Sequence, residues 1–380
     1  MPNTTDLFAS APLGPLTLPN RLVMAPLTRN RAEADGTPTP LMATYYAQRA
    51  SAGLIVAEAS TPNAVGQTYP DITAVHSARH VAGWRRVTEA VREAGGRMFL
   101  QLQHGGRVGH PATSGLTPLA PSPVPLPGTV FTPDGHRPAV VPREMTVEDI
   151  RTTVADFARA ARNALDAGFE GVEVHSANGY LLHQFLAANT NLRTDGYGGP
   201  VAGRIRFTAE VVEAVAAEIG AERVGLRLSP GNTVNGIAEE GTEEIYPALA
   251  QRLGGLGLAY LHLVYADPDT PVFGKLRAGW QGVLIANPVL GEEFTADTVR
   301  RASERLLAAG ADLIALGRPF LANPDLVRRL RSDAPLNPVR DRYLMYVGGA
   351  TGYTDYPALE EVTAQPSSSA SDALDGPRVA

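Results

Sequence analysis

The chain has 380 residues, 44% hydrophobic and 19% charged, a balance that permits a buried core and excludes disordered, collagen-like and coiled-coil classes. Its 33 Lys and Arg against 39 Asp and Glu leave a net charge of −6 with no basic block, which argues against nucleic acid and acidic membrane surfaces as partners. Cysteine is absent, so disulfides, thiolate metal sites, cysteine-held iron–sulfur clusters and cysteine nucleophiles are all excluded.

The opening MPNTTDLFASAPLGPL has neither a basic n-region nor an apolar h-region, and no later stretch approaches the ~18 consecutive apolar residues of a membrane span. A soluble, cytoplasmic protein, monomer or homodimer, is the expectation. Eight short apolar or β-branched runs then follow in chain order: RLVMAPLT (21–28), LIVAEAS (54–60), RMFLQLQ (97–103), GVEVHSA (171–177), RVGLRLS (223–229), AYLHLVY (259–265), GVLIAN (282–287) and DLIALGR (312–318). Helical patterns separate most of them, at 40–53, 80–95, 146–168, 204–220, 243–255 and 295–310, several ending in the glycine of a left-handed cap. The residues after the sixth run show little helical period, so a loop or a shortened helix is expected there.

Eight strands alternating with helices require a parallel sheet, and this count permits closure into an α/β (β/α)8 TIM barrel spanning 1–362. An open doubly wound sheet is the alternative. The barrel is favoured because Thr28, Gln101, Gln103, His175, Arg227, Asn287 and Arg318 collect at the C-terminal ends of the runs, where barrel enzymes build their sites. The proline-rich insertion 104–145, between strand three and helix three, reads as a capping loop, and 363–380 as a loose tail.

His175-Ser-Ala-Asn178-Gly-Tyr180 is the densest polar segment. His175 and Asn178 can aim two donors at one oxygen, with Tyr180 as a proton donor beside them; equally, the segment reads as a satisfied interior histidine and an Asn-Gly turn. Arg227 inside an apolar strand needs an anionic partner, structural or functional. Arg318, ending the eighth run, is either a phosphate ligand or one half of a surface salt bridge. Three motifs fail their context. GLGLA (255–259) precedes a strand instead of following one; His76 and His80 have no third metal ligand; GVEVHSANGY has no G-x-S-x-G elbow. No metal is expected.

Several segments together resemble the Old Yellow Enzyme family of FMN-dependent ene-reductases: LFASAPLGPLTLPNRLVMAPLTRNRA, GWRRVTEAVREAGGRMFLQL, GVEVHSANGYLLHQFLAANTNLRTDGYGG, VGLRLSP, LGRPFLANPDLV and GYTDYP. The resemblance covers about residues 7–360. It implies that Ala25, Pro26, Leu27 and Thr28 lie against the flavin, that Ala59 is a strand-two contact, that Gln101 meets the pyrimidine edge and Arg227 the N1 region, and that Gly317 and Arg318 hold the phosphate. Asn287, closing strand seven, is placed with this cofactor set. It further implies that His175 and Asn178 bind the substrate's carbonyl oxygen and that Tyr69, Gln103 and Tyr353 line the substrate pocket. In the implied reaction, NADPH or NADH reduces FMN, the flavin N5 passes a hydride to an activated alkene, and Tyr180 supplies the proton. The alternatives are a relative specialised for desaturation or isomerisation, and a flavin-free binding barrel. Two departures stand out. The family usually has Trp at Gln103, which implies a more polar or open pocket; and IANPVLGEEFT replaces a Gly-rich turn, where Pro288 brings no N–H to the phosphate.

Overall fold

A computed structural model describes residues 5–359. The expected tail from residue 363 lies outside the described residues. The eight runs form strands β1 (Leu22–Met24), β2 (Leu54–Ser60), β3 (Met98–Leu102), β4 (Gly171–Ser176), β5 (Val224–Leu228), β6 (Tyr260–Ala266), β7 (Leu284–Pro288) and β8 (Leu313–Leu316). Each pairs in parallel with its neighbour in chain order, and β8 pairs with β1 to close a barrel. The (β/α)8 architecture is therefore present, and the open-sheet alternative is not.

Except for α6, the helices fall where the 3.6-residue period places them: α1 (Pro40–Ala47), α2 (Ala78–Glu93), α3 (Val147–Asp166), α4 (Val201–Ile219), α5 (Thr242–Leu253), α6 (Pro271–Gly279) and α7 (Ala296–Ala308). Side chains fix their starts. Ser77 accepts the His80 N–H at the head of α2, and Thr146 with Asp149 makes a reciprocal capping box at the head of α3. Gly95, Gly168 and Gly310, at φ +82°, +93° and +101°, turn the chain out of α2, α3 and α7 toward the next strand. The shortened helix expected after β6 is α6, with 9 residues. No helix among the described residues is long and apolar enough to cross a membrane.

Because side chains alternate along a strand, every second residue enters the barrel. The lowest interior layer is apolar: Val23, Leu54, Val56, Phe99, Tyr260 and Ile285 pack together with Leu13 and Leu18. Those two leucines belong to an N-terminal hairpin, Ala11–Leu13 with Leu16–Leu18, which plugs the bottom of the barrel. Gly225 must be glycine, since a Cβ there would sit 2.2 Å from the Tyr260 ring. The insertion 104–145 contains an antiparallel hairpin, Thr129–Thr132 with Gly135–Pro138, and Leu119–Ala120 paired with Arg143–Glu144. Val130 of that hairpin packs with Val108 and Leu126, and against Tyr69 and Tyr180, so the insertion covers the C-terminal end of the barrel.

Candidate active site

Two residues above Phe99 along β3 comes Gln101, and two above Gly171 along β4 comes Glu173; the two face each other in register. Arg227 on β5 is likewise in register with His262 on β6, and with His175 on β4. The parallel ladder thus stacks a polar layer on the apolar one. Gln101 Nε2 donates to Glu173 Oε1 at 2.8 Å, and His262 Nδ1 lies 2.8 Å from Glu173 Oε2. One carboxylate therefore fixes two neighbours. With its N–H2 turned to Glu173, the Gln101 amide leaves its oxygen as the acceptor for a cavity ligand.

Burial pushes the Glu173 carboxyl upward, yet His262, Arg227 and the Gln101 hydrogen bond outweigh it and hold it below its ordinary value. Burial also depresses His262, which stays neutral and donates its Nδ1–H. Arg227 reaches Asn287 Oδ1 at 3.5 Å, while the Asn287 amide donates to Ala315 O at 2.9 Å, tying the cation to β7 and β8.

Beyond β4 the chain turns sharply. Asn178 adopts φ +54° and Gly179 φ +77°, and a Cβ at Gly179 would approach Val234 O to 2.6 Å. Three neighbours fix this turn: Asn178 N donates to Ser229 Oγ, Asn235 Nδ2 to Asn178 O, and Gly179 N to His183 Nδ1. Because His183 Nδ1 accepts, its Nε2 carries the proton toward Glu239 at 3.1 Å, and Tyr246 donates to the same carboxylate. Asn178 and Tyr180 are thereby presented to a cavity of ≈ 340 Å³ that His175, Gln101, Gln103 and Arg227 also line. Burial, reinforced by Arg227, His183 and His262, holds His175 well below its ordinary pKa, so it is a neutral imidazole. Burial and the neighbouring Tyr69 raise the Tyr180 phenol well above its ordinary value; the two hydroxyls are 3.3 Å apart. The phenol keeps its proton.

The signature of the NADH:flavin oxidoreductase / NADH oxidase family matches residues 6–337. The chain belongs to this family. A probable flavin mononucleotide-dependent alkene reductase of Leishmania infantum is 40% identical over 357 residues, covering 91% of this chain and 96% of that one. Among solved structures, morphinone reductase in complex with tetrahydroNAD matches with a TM-score of 0.88 and 42% identity, covering 95% of this chain and 99% of that one. The old yellow enzyme homologue from Zymomonas mobilis matches at 0.87 and 40%, covering 93% and 100%. The chain is an FMN-dependent oxidoreductase served by a nicotinamide reductant, as the resemblance implied.

The residues fit that cofactor. Ala25, Pro26, Leu27, Thr28, Gln101, Arg227, Asn287, Gly317 and Arg318 all line the one cavity, with guanidinium groups at two points along it. Arg227 Nε, His175 Nδ1 and Asn178 Oδ1 are buried without a protein partner. Arg318 donates to the carbonyls of Leu290 and Gly291, which anchors the loop carrying Pro288 beside it. An elongated, phosphate-bearing heteroaromatic matches this distribution of donors and charge.

Three expected residues lie elsewhere. Ala59 is buried but not on the cavity wall, and its carbonyl accepts from Thr73. Tyr69 reaches the site only through the Tyr180 hydroxyl. Tyr353 is displaced from the expected pocket wall: it is fully buried, stacked on Tyr45 at 4.0 Å with Arg29 and Arg31 each 4.8 Å from its ring, an arrangement that uses its aromatic face for packing. Gln103 does line the cavity, with its amide donating to Thr68. Met345 and Tyr346, Glu173 and His262 went unread in the sequence. Glu173 and His262 carried a signal, each as a titratable residue within an apolar strand. His76 and His80 make an edge contact at 4.7 Å, and no metal-holding group exists among the described residues.

Proposed function

We propose that the protein reduces the C=C bond of small α,β-unsaturated carbonyl or nitro compounds. The observation that carries this reading is that His175, Asn178 and Tyr180 share one cavity wall with Gln101 and Arg227. Bound FMN supplies the two-electron chemistry, replenished by NADH or NADPH. Neutral His175 and the Asn178 amide donate to the substrate's activating oxygen, which withdraws electron density from the β-carbon. Tyr180 Oη, still protonated, delivers its proton to the α-carbon. Gln101, oriented by Glu173, and Arg227, tethered by Asn287, bind the cofactor's polar edge, while the capping hairpin excludes water.

The test is anaerobic turnover of 2-cyclohexen-1-one by the FMN-loaded protein with NADPH and with NADH, followed by chromatography of cyclohexanone. Saturated ketone in proportion to coenzyme consumed is expected. Coenzyme oxidation without ketone contradicts the reading.

A further inference from the structure

The turn that carries Asn178 and Tyr180 is held from two sides. Asn178 sits in the left-handed region at φ +54°, which residues with a side chain use sparsely, so the turn depends on its hydrogen bonds. His183, in the short helix Leu181–Leu186 that follows, supplies one of them. Its Nδ1 accepts the Gly179 N–H at 3.0 Å and lies 3.5 Å from Ser229 Oγ, which accepts the Asn178 N–H at 2.8 Å. The next residue, Gln184, donates from Nε2 to Gly179 O at 2.8 Å. One imidazole nitrogen thus serves the peptide link between Asn178 and Gly179, and turning that link moves both reactive side chains.

Which ring nitrogen accepts is decided by Glu239. Its carboxylate stands 3.1 Å from His183 Nε2, so that nitrogen carries the hydrogen and Nδ1 keeps its lone pair. Tyr246 of α5 donates to the same oxygen at 2.6 Å. The other carboxylate oxygen accepts from Gly231 N at 2.8 Å, which pins the loop after β5, and Asn235 of that loop donates to Asn178 O at 2.8 Å. Burial pushes the Glu239 carboxyl up, yet the hydrogen bonds from His183, Tyr246 and Gly231 outweigh it and hold it below its ordinary value. Neither the His183 nor the Glu239 side chain is exposed, and neither lines the cavity. A buried network with no face on the cavity acts on the reaction only through what it positions.

We propose that Glu239 and His183 are positioning residues for the reduction: the carboxylate fixes the imidazole with Nδ1 as the acceptor, and that nitrogen holds the turn from which Asn178 meets the substrate's oxygen and Tyr180 its α-carbon. This rests on the alkene-reducing reading above. An amide of the same shape cannot do the same work. Glu239→Gln offers one acceptor oxygen to three donors, His183 Nε2, Tyr246 Oη and Gly231 N. If that oxygen stays with His183 and Tyr246, the amide N–H2 faces the Gly231 N–H and the loop bearing Asn235 is released. If it turns to Gly231, the amide donates to His183 Nε2, the ring hydrogen moves to Nδ1, and two N–H groups face each other at Gly179. Either arrangement loosens the turn.

The experiment compares the FMN-loaded wild type with Glu239→Gln, His183→Gln and His183→Asn. Asparagine places an acceptor oxygen where Nδ1 stands, whereas glutamine reaches toward Glu239 and leaves the Gly179 N–H without a partner. Reduced protein is mixed with saturating 2-cyclohexen-1-one and the recovery of flavin absorbance is timed. The long-wavelength band formed with 4-hydroxybenzaldehyde reports the oxygen site independently of turnover. Two controls are the FMN dissociation constant and re-oxidation by ferricyanide, which takes electrons from the flavin without using Asn178 or Tyr180. Expected in both glutamine variants is a weakened phenol band and recovery slowed about 10- to 100-fold, the cost of misplacing a reacting group by about 1 Å, with both controls unchanged. His183→Asn, the conservative replacement, restores the acceptor and with it the band and most of the rate. If one glutamine variant does not load, the other serves. Equal impairment of His183→Asn and His183→Gln, or wild-type behaviour in a loaded glutamine variant, overturns the proposal. Wild-type protein that leaves cyclohexenone unreduced overturns the functional reading instead, and the phenol band then decides whether the turn needs Glu239.

Discussion

Glu173 and His262 meet at 2.8 Å inside the barrel, neither side chain exposed, and the second oxygen of the same carboxylate holds Gln101. Glu173→Gln offers one acceptor oxygen where two N–H groups need one each, and removes the negative charge near Arg227. Losing one partner of a buried charged network costs ~3–5 kcal/mol. A lower unfolding temperature and an FMN dissociation constant raised about tenfold are expected, the latter read by flavin fluorescence during titration of the apoprotein. Wild-type affinity in a folded variant would show that Gln101 does not need this support.

His175 and Asn178 are expected to act as a pair on one oxygen. A phenol such as 4-hydroxybenzaldehyde, added to the FMN-loaded protein, should produce a long-wavelength absorbance band as its anionic oxygen settles between them. Replacing either residue with alanine removes one hydrogen bond to a charged group, worth ~1.5–3 kcal/mol, and should weaken phenol binding about 10- to 100-fold. Equal binding by both variants would move the oxygen site elsewhere.

Glu58 supplies a pH test of the fold. Burial raises its carboxyl to about 7, against hydrogen bonds from Arg29 N and the Tyr46 hydroxyl. A raised acid binds its proton more tightly in the folded state, so its favourable contribution is full below the unfolded value of 4.5 and is lost as pH rises to about 7. Glu58→Gln does not titrate. Relative to wild type, its unfolding free energy should improve by about 2 kcal/mol between pH 5 and pH 8, measured by urea denaturation. A difference independent of pH would mean that Glu58 is ionised throughout.

The barrel was legible because its signals are local. Each strand is a continuous apolar run bounded by turn residues, and Gly95, Gly168 and Gly310 mark helix ends at positive φ. The polar ends of the runs located the site for the same reason: Gln101, His175, Arg227 and Asn287 close strands and converge on one cavity. What stayed hidden depends on distance along the chain. Glu173 and His262 are 89 residues apart, and only the closed register brings them together. Arg31 grips Val347 across 316 residues, so no local pattern shows that Tyr346 walls the site. Tyr353 is expected at the pocket wall only through the family resemblance, and its stacking on Tyr45 is a contact between residues 308 positions apart that no local pattern shows.

Tyr180→Phe tests the central claim most directly. Both half-reactions are followed by stopped-flow absorbance of the flavin: bleaching by NADPH, then recovery on mixing the reduced protein with 2-cyclohexen-1-one. Since a positioned general acid contributes about 10²–10⁴ in rate, recovery should slow by at least about a hundredfold while bleaching stays within about twofold of wild type. Recovery at the wild-type rate, or an equal loss in both half-reactions, would contradict the assignment of the proton to Tyr180.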